Sequence, residues 1–301
     1  MADGEPRHTR DLTELAAGDA DRFGGKSASL GELLRAGIPV PPGFAISAEA
    51  SEEMTDALRD EVAARYARLG DNVPVAVRSS ALGEDSAEAT FAGQQDTYLW
   101  VRGIAAVCDA VARCWASLYN PEAVAYRERF GVGKPAMGVT IQLMVDAAVS
   151  GVMFTCNPVS GDRSMIAINA SWGLGVAVVG GEVTPDDYLV SKITGEVVRQ
   201  TISDKAIEYV SGPDGAQRVD IDDERRRQPC LDATAIPQLM EVGRLVERHF
   251  GAPQDIEWAF DRAGRLFVLQ SRPVTALATR EQAPAPASAM SLIFNKFGAG
   301  S

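Results

Sequence analysis

Asp255-Ile256-Glu257-Trp258-Ala259-Phe260-Asp261-Arg262-Ala263-Gly264-Arg265-Leu266-Phe267-Val268-Leu269-Gln270-Ser271-Arg272-Pro273 reads as two strands, 254–260 and 265–270, joined by a turn at 261–264. Alternation puts Ile256, Trp258 and Phe260 on one face of the first strand and Asp255 and Glu257 on the other. On the second strand Leu266, Val268 and Gln270 share a face. For a short turn around 262–264, position 257 falls opposite 268 or 270, so Glu257 and Gln270 emerge on the same side. A carboxylate and an amide oxygen projecting together are hard-oxygen ligands suited to magnesium. Arg272, two residues on, could hold a phosphate shared with that metal. The same spacing also fits the plain polar face of an edge hairpin.

Two upstream segments carry cations. Val75-Ala76-Val77-Arg78-Ser79-Ser80 ends an apolar strand, 73–78, in an arginine followed by small residues. That setting suits a bidentate phosphate contact, and equally a structural ion pair. Gly24-Gly25-Lys26-Ser27 suggests a P-loop, but the Walker pattern needs a glycine where Ala20 stands, and no buried strand precedes it. What remains is a lysine on a glycine-rich approach to a short helix, apt for phosphate oxygens or, taken alone, an ordinary surface lysine. With Glu257 and Gln270, Lys26 and Arg78 supply two cations, a carboxylate and an amide, the minimal set for a triphosphate and its magnesium, and Arg272 adds a further cation.

Composition narrows the field. At 301 residues, 46% hydrophobic and 23% charged, the chain can bury a large core as one domain or several lobes. A formal charge of -12 argues against a nucleic-acid surface, which needs a basic face. The cysteines, Cys108, Cys114, Cys156 and Cys230, form no C-x-x-C pair and read as free thiols. No apolar run reaches the roughly 20 residues of a membrane span. The polar start, Met1 to Arg10, lacks a signal-peptide core. A cytoplasmic protein without nucleic-acid or membrane partners is expected.

Along the chain, residues 1–20 read as a loose polar leader. A helix is expected at Ser27–Ala36, with Ser29 and Glu32 spaced as a capping box and Gly37 ending it. The proline-rich stretch Ile38–Phe44 reads as an extended entry to a strand. Next come a helix at Ala48–Leu69, the 73–78 strand, and a Gly/Ser/Ala-rich mobile loop at 79–94. Helices fit 103–119 and 121–130, broken at Asn120-Pro121. Strands follow at Ala136–Val145, Ser150–Thr155 and Met165–Ala170, then a hairpin at 187–202 turning at Thr194-Gly195. A 3.6-period stripe of Ile236, Leu239, Val242, Val246 and Phe250 marks a helix at Asp232–Phe250. Beyond Thr275 the composition is that of a linker. The layout is α+β: a helix-rich first half and a mostly antiparallel second half.

Read in order, these segments resemble the ATP-binding domain of the phosphoenolpyruvate synthase and pyruvate phosphate dikinase family, which rifampicin phosphotransferases also carry. The matching stretches are Gly24–Leu33, Val77–Ala81, Phe91–Leu99, Ser150–Thr155, Val183–Asp186, Asp255–Trp258 and Leu269–Pro273, spanning about 18–276. The resemblance implies an ATP-grasp type fold, with two lobes clamping ATP. It implies a flexible leader at 1–17, an N-terminal lobe at 18–145, a C-terminal lobe with the Mg-ATP site at 146–276 and a flexible tail at 277–301. By analogy Lys26, Arg78 and Arg272 would contact phosphates and carry the chemistry. Gly93 and Thr97 would lie on a loop closing over the phosphates, Gln142 would seat the adenine end, and Glu257 and Gln270 would hold Mg2+.

In that family the β-phosphoryl group of ATP passes to a histidine on a swivelling domain, leaving AMP and phosphate, and the histidine serves pyruvate or another acceptor. Only 28 residues follow Pro273, and the two histidines, His8 and His249, lack the glycine- and threonine-rich setting of the carrier. The expectation is therefore an ATP-binding subunit acting on a separately encoded phosphohistidine swivelling-domain protein, and through it on a small-molecule acceptor. A stand-alone ATP-grasp kinase or ligase acting directly on a small molecule, and a non-catalytic ATP-sensing module, are the alternatives. One departure is Val176, after Gly173-Leu174-Gly175, where relatives often place an acid.

Overall fold

A computed structural model describes residues 8–50, 53–82, 97–120, 136–212 and 215–274. Its first sheet contains β1 (Thr9–Asp11), β2 (Gly43–Ile46), β3 (Val75–Ala81), β4 (Thr97–Val101) and β5 (Met137–Leu143), in the order β1-β2-β5-β3-β4. Every pairing is antiparallel. Alternation divides its faces. Val75, Val77, Val139, Ile141, Phe44 and Ile46 pack against α3 (Asp56–Leu69) and α4 (Ile104–Ala116). Arg78, Thr140 and Gln142 point the other way, with Thr97, Arg78 and Thr140 side by side in register on three adjacent strands.

The second sheet runs β13-β12-β6-β7-β8-β9, from β6 (Ala147–Phe154), β7 (Met165–Trp172), β8 (Asp186–Ser191), β9 (Val197–Thr201), β12 (Gln254–Asp261) and β13 (Leu266–Pro273). β10 (Ile207–Gly212) and β11 (Gly215–Asp220) form a separate hairpin. Besides α1 (Ala20–Phe23), α2 (Gly25–Arg35) and the short α5 (Val176–Val179), a long helix α6 (Ala235–Phe250) covers one face of this sheet. Its Leu239, Met240 and Val246 meet Met153, Ile166, Ile168, Ile256, Trp258 and Val268 in the main core. Gly243 permits the approach: a Cβ there would lie 3.1 Å from the Met153 methyl. The opposite face, bearing Glu257, Val152 and Asn169 in one cross-strand row, turns toward the first sheet. The α+β class and the antiparallel second half are as expected of an ATP-grasp type fold, whereas the first half, expected to be helix-rich, is built on a five-stranded antiparallel sheet of its own.

Several boundaries move. The leader is folded from Thr9 onward: β1 pairs with β2, and Leu12 and Leu15 are fully buried in the core. Apolar residues two or three apart in a polar stretch sufficed to anchor it. The first helix begins at Gly25, and Ser29 and Glu32 do not cap it. Ser29 Oγ donates to the Ser271 carbonyl at 2.9 Å, and Glu32 accepts from Ala17 N at 2.9 Å. Through Leu30 and Leu33 this helix shares the core of the second sheet, although in sequence it lies between β1 and β2 of the first. Gly37 does end it, with φ +73°. The helix expected at Ala48–Leu69 is a 3-10 turn at Ala48–Ala50 and then α3, capped by Thr55 Oγ1 accepting from Leu58 N at 3.2 Å. β3 extends to Ala81, taking the first residues of the expected loop. The 83–94 part of that loop with Gly93, the 121–130 helix and the 277–301 tail lie outside the described residues.

Candidate functional site between the two sheets

The first cation is placed by a glycine. Gly24 has φ +82°, and a Cβ there would lie 2.2 Å from both the carbonyl and Oγ of Ser80, so α2 abuts β3 only with glycine at this position. Ser27 N donates to Ser80 Oγ at 3.3 Å, and Ser27 Oγ and Thr140 Oγ1 share a hydrogen bond of 2.7 Å. Lys26 is thereby buried (9% exposed), its Nζ donating to the Ser79 carbonyl at 3.1 Å. A cation in the first turn of a helix opposes the helix dipole, so this lysine sits where a phosphate would favour it and the helix alone does not.

Arg78 crosses from the first sheet to the second. Its Nη2 donates to Glu257 Oε2 at 2.8 Å and its Nη1 to the Leu269 carbonyl at 3.0 Å. Arg78 Nε and the neighbouring Ser79 Oγ are buried without a hydrogen-bond partner. The two lie on opposite faces of β3, Ser79 on the face of its neighbour Val139 and Arg78 toward the second sheet. Most buried polar atoms are paired, so the orphan guanidinium N–H on the site side suits a polar ligand.

Glu257 and Gln270 stand directly opposite each other, for a reason alternation does not supply. Trp258 pairs with Val268 but Glu257 pairs with Gln270, so Leu269 is an extra residue in β13. Val268 and Leu266 face the main core with Trp258 and Phe260. The bulge carries Gln270 off that face and onto the face of Glu257. The expectation of a shared face holds; the single face for Leu266, Val268 and Gln270 does not. One step further, Arg272 lies opposite Asp255, its Nε donating to Oδ2 at 2.9 Å. Burial raises the Asp255 carboxyl above its ordinary value, with the Glu257 charge adding, against the pull of Arg272.

The donor set fits magnesium. Among the described residues no three His, Cys, Asp or Glu side chains converge on one point. Glu257 and Gln270 instead present two hard oxygens, and magnesium is commonly held by one or two protein oxygens, with phosphates and water completing the shell.

Gln142 is buried and donates to the Pro41 carbonyl at 3.3 Å, beside the passage from β5 to β6. There a cavity of about 580 Å³ is lined by Pro41, Met144, Val145, Asp261 and Phe267 among others. Met144, Val145 and Phe267 also belong to an apolar cluster between the sheets that includes Trp100, Leu174, Ala259 and Leu269. The cavity walls are mostly apolar, with Asp146, Asp261, Arg262 and Arg265 adding charge, and such a volume suits a planar ring. Trp100 reaches the cluster from a bulge of β4 with φ +58°, a conformation costly for a bulky residue and one the sequence did not announce. Thr97 is exposed at the start of the same strand, next to Arg78. The structure thus brings Lys26, Arg78, Glu257 and Gln270 together, with Arg272 one pair further along the hairpin and Gln142 toward the cavity. The Ser27–Thr140 and Ser27–Ser80 contacts, the pairing of Asp255 with Arg272 and the bulge are not given by the sequence.

The chain belongs to the family described as pyruvate phosphate dikinase, AMP/ATP-binding domain, which it matches over residues 20–56 and 48–291. It is 40% identical to a probable phosphoenolpyruvate synthase of Methanothermobacter thermautotrophicus, over 89% of this chain and 46% of that one. It is 38% identical to the probable phosphoenolpyruvate synthase of Methanocaldococcus jannaschii, over 88% of this chain and 26% of that one. A rifampicin phosphotransferase of Streptomyces is 41% identical over 89% of this chain and 36% of its own length. The chain therefore spans between a quarter and a half of these curated relatives. Among solved structures, the VanG D-Ala:D-Ser ligase of Enterococcus faecalis aligns with 83% of this chain and 52% of its own at TM-score 0.42 and 10% identity.

Proposed function

We propose that this chain binds Mg-ATP between its two sheets and serves as the ATP-using part of a phosphotransferase. The phosphoryl group, the β-phosphoryl of ATP, would pass to a histidine outside these 301 residues, on a separate swivelling-domain protein, for delivery to pyruvate or another small molecule. The observation that carries the reading is the pairing of Glu257 with Gln270 across the bulged hairpin, with Arg78 of the other sheet 2.8 Å from Glu257. Glu257 and Gln270 would hold magnesium, whose charge neutralises the developing phosphate oxygens. Lys26, Arg78 and Arg272 would orient the triphosphate in line with its acceptor. Gln142 and the neighbouring cavity would take the adenine, and Gly93 and Thr97 would cover the phosphates.

The chain's own histidines support an external acceptor. His249 faces Glu32 at 3.0 Å on α6, and His8 contacts Ser47 at 3.3 Å. Neither is among the residues that meet at the site. Four buried, unbridged cysteines suit a reducing compartment such as the cytoplasm.

Mixed with its histidine protein and Mg-ATP, the chain should release AMP, and Lys26→Ala or Arg78→Ala should abolish that release. AMP at the wild-type rate from both variants would overturn the assignment. ADP formed by the chain alone would instead mark a direct kinase.

A further inference from the structure

The contact between Arg78 and Glu257 sets the two halves of the site against each other. Arg78 is the cation for a phosphate and Glu257 the carboxylate for the metal, yet each is the other's partner, at 2.8 Å. The guanidinium is anchored at its other end by the Leu269 carbonyl, on the bulge that brings Gln270 opposite Glu257. Both side chains are partly shielded, with 14% of Arg78 and 28% of Glu257 exposed. A magnesium ion on Glu257 and a guanidinium on the same carboxylate would repel each other in that shielded space.

We propose that Arg78 and the metal are alternative partners of Glu257, so that the site takes metal and nucleoside triphosphate as one complex by exchange of cations. The metal arrives on the triphosphate and takes the carboxylate. The displaced guanidinium turns to a phosphate oxygen of the same ligand. Each group keeps a partner of opposite sign throughout: Glu257 trades the guanidinium for the metal, and Arg78 trades the carboxylate for a phosphate oxygen. Either ligand alone leaves the exchange incomplete. Free metal must evict Arg78 with no phosphate to receive it, and metal-free ATP must draw Arg78 away from a carboxylate left unpaired. The two ligands are then positively coupled through one side chain, and the coupling is reciprocal. This inference rests on the Mg-ATP reading and adds to it the order and the selectivity of binding.

The test is binding, with Mn2+ as a spectroscopic stand-in for magnesium, on the full chain without nucleotide. Arg78→Gln should bind Mn2+ alone at least about tenfold more tightly than wild type, and Mg-ATP at least about tenfold more weakly. Those opposite signs separate exchange from a merely structural role, which would weaken both. Glu257→Gln should bind ATP in excess chelator more tightly than wild type, because its Arg78 is already released. Should Arg78→Gln fail to fold, Arg78→Lys, which lacks the fork that spans the Glu257 carboxylate and the Leu269 carbonyl, should show the same gain for Mn2+ to a smaller degree. Equal or weaker Mn2+ binding by a folded Arg78 variant overturns the exchange while leaving Mg-ATP binding standing. Wild-type chain that binds no Mg-ATP overturns the underlying reading and the exchange with it.

Discussion

Two ion pairs of this chain look alike as distances and differ in everything else. Lys205 Nζ and Asp186 Oδ1 are 2.5 Å apart with neither side chain exposed. Asp186 also accepts from Ser203 N at 3.0 Å and Cys230 N at 2.8 Å, and Lys205 Nζ donates to the Ser203 carbonyl at 2.9 Å. Arg78 and Glu257, 2.8 Å apart, keep some contact with solvent and leave Arg78 Nε without a partner. The first pair is saturated and desolvated, so nothing can replace either member without stranding a charge. The second is neither, so its members can change partners. Saturation, more than distance, separates a staple from a site. Asp186 lies in one of the stretches that carry the family resemblance, and its role here is to fasten the 203–230 segment to β8.

The largest effect should come from breaking the staple. Asp186→Asn leaves Lys205 charged in a closed interior and should cost about 3–5 kcal/mol in urea unfolding. Arg78→Ala, at the partly shielded pair with side chains 14% and 28% exposed, should cost less, about 1–2 kcal/mol. Equal losses would erase the distinction. Next is Gly24→Ala. Its Cβ would meet Ser80 at 2.2 Å in a backbone conformation with φ +82°, and the cost should be roughly 1–3 kcal/mol, with nucleotide affinity falling as α2 lifts Lys26 from β3. A neutral Gly24→Ala would mean that β3 and α2 do not need this contact.

The smallest effect is one of pH. Asp255 is raised above its ordinary 3.8, chiefly by burial. Over the window from 3.8 upward the folded chain holds a proton that the unfolded chain has shed, so stability falls as pH rises through it. Asp255→Asn should flatten that decline in urea midpoints taken from about pH 4 to about pH 7. An undiminished slope in the variant would place its origin elsewhere.

The sequence made the site more legible than the scaffold beneath it. Alternation in 254–260 reported which residues face the core, because that strand is regular. It could not report the bulge at Leu269, which arises where Val268 gives its N–H to the Pro39 carbonyl from another part of the chain. The same limit explains Ser29 and Glu32. Their spacing is that of a cap, but their partners, Ser271 and Ala17, are tertiary. The β10–β11 hairpin is not legible in the sequence because β11 is almost wholly exposed and carries little apolar signal. β4 is not legible either, because its alternation is broken at Trp100 by a backbone conformation that bulky residues rarely adopt.

The most direct test of an Mg-ATP site shared by the two sheets is calorimetric titration of ATP, with magnesium, into wild type and into Arg78→Ala. We predict saturable one-to-one binding by wild type and at least about a tenfold loss in the variant, whose thermal unfolding stays within a few degrees of wild type. Equal affinity for ATP in the two folded proteins would contradict the account.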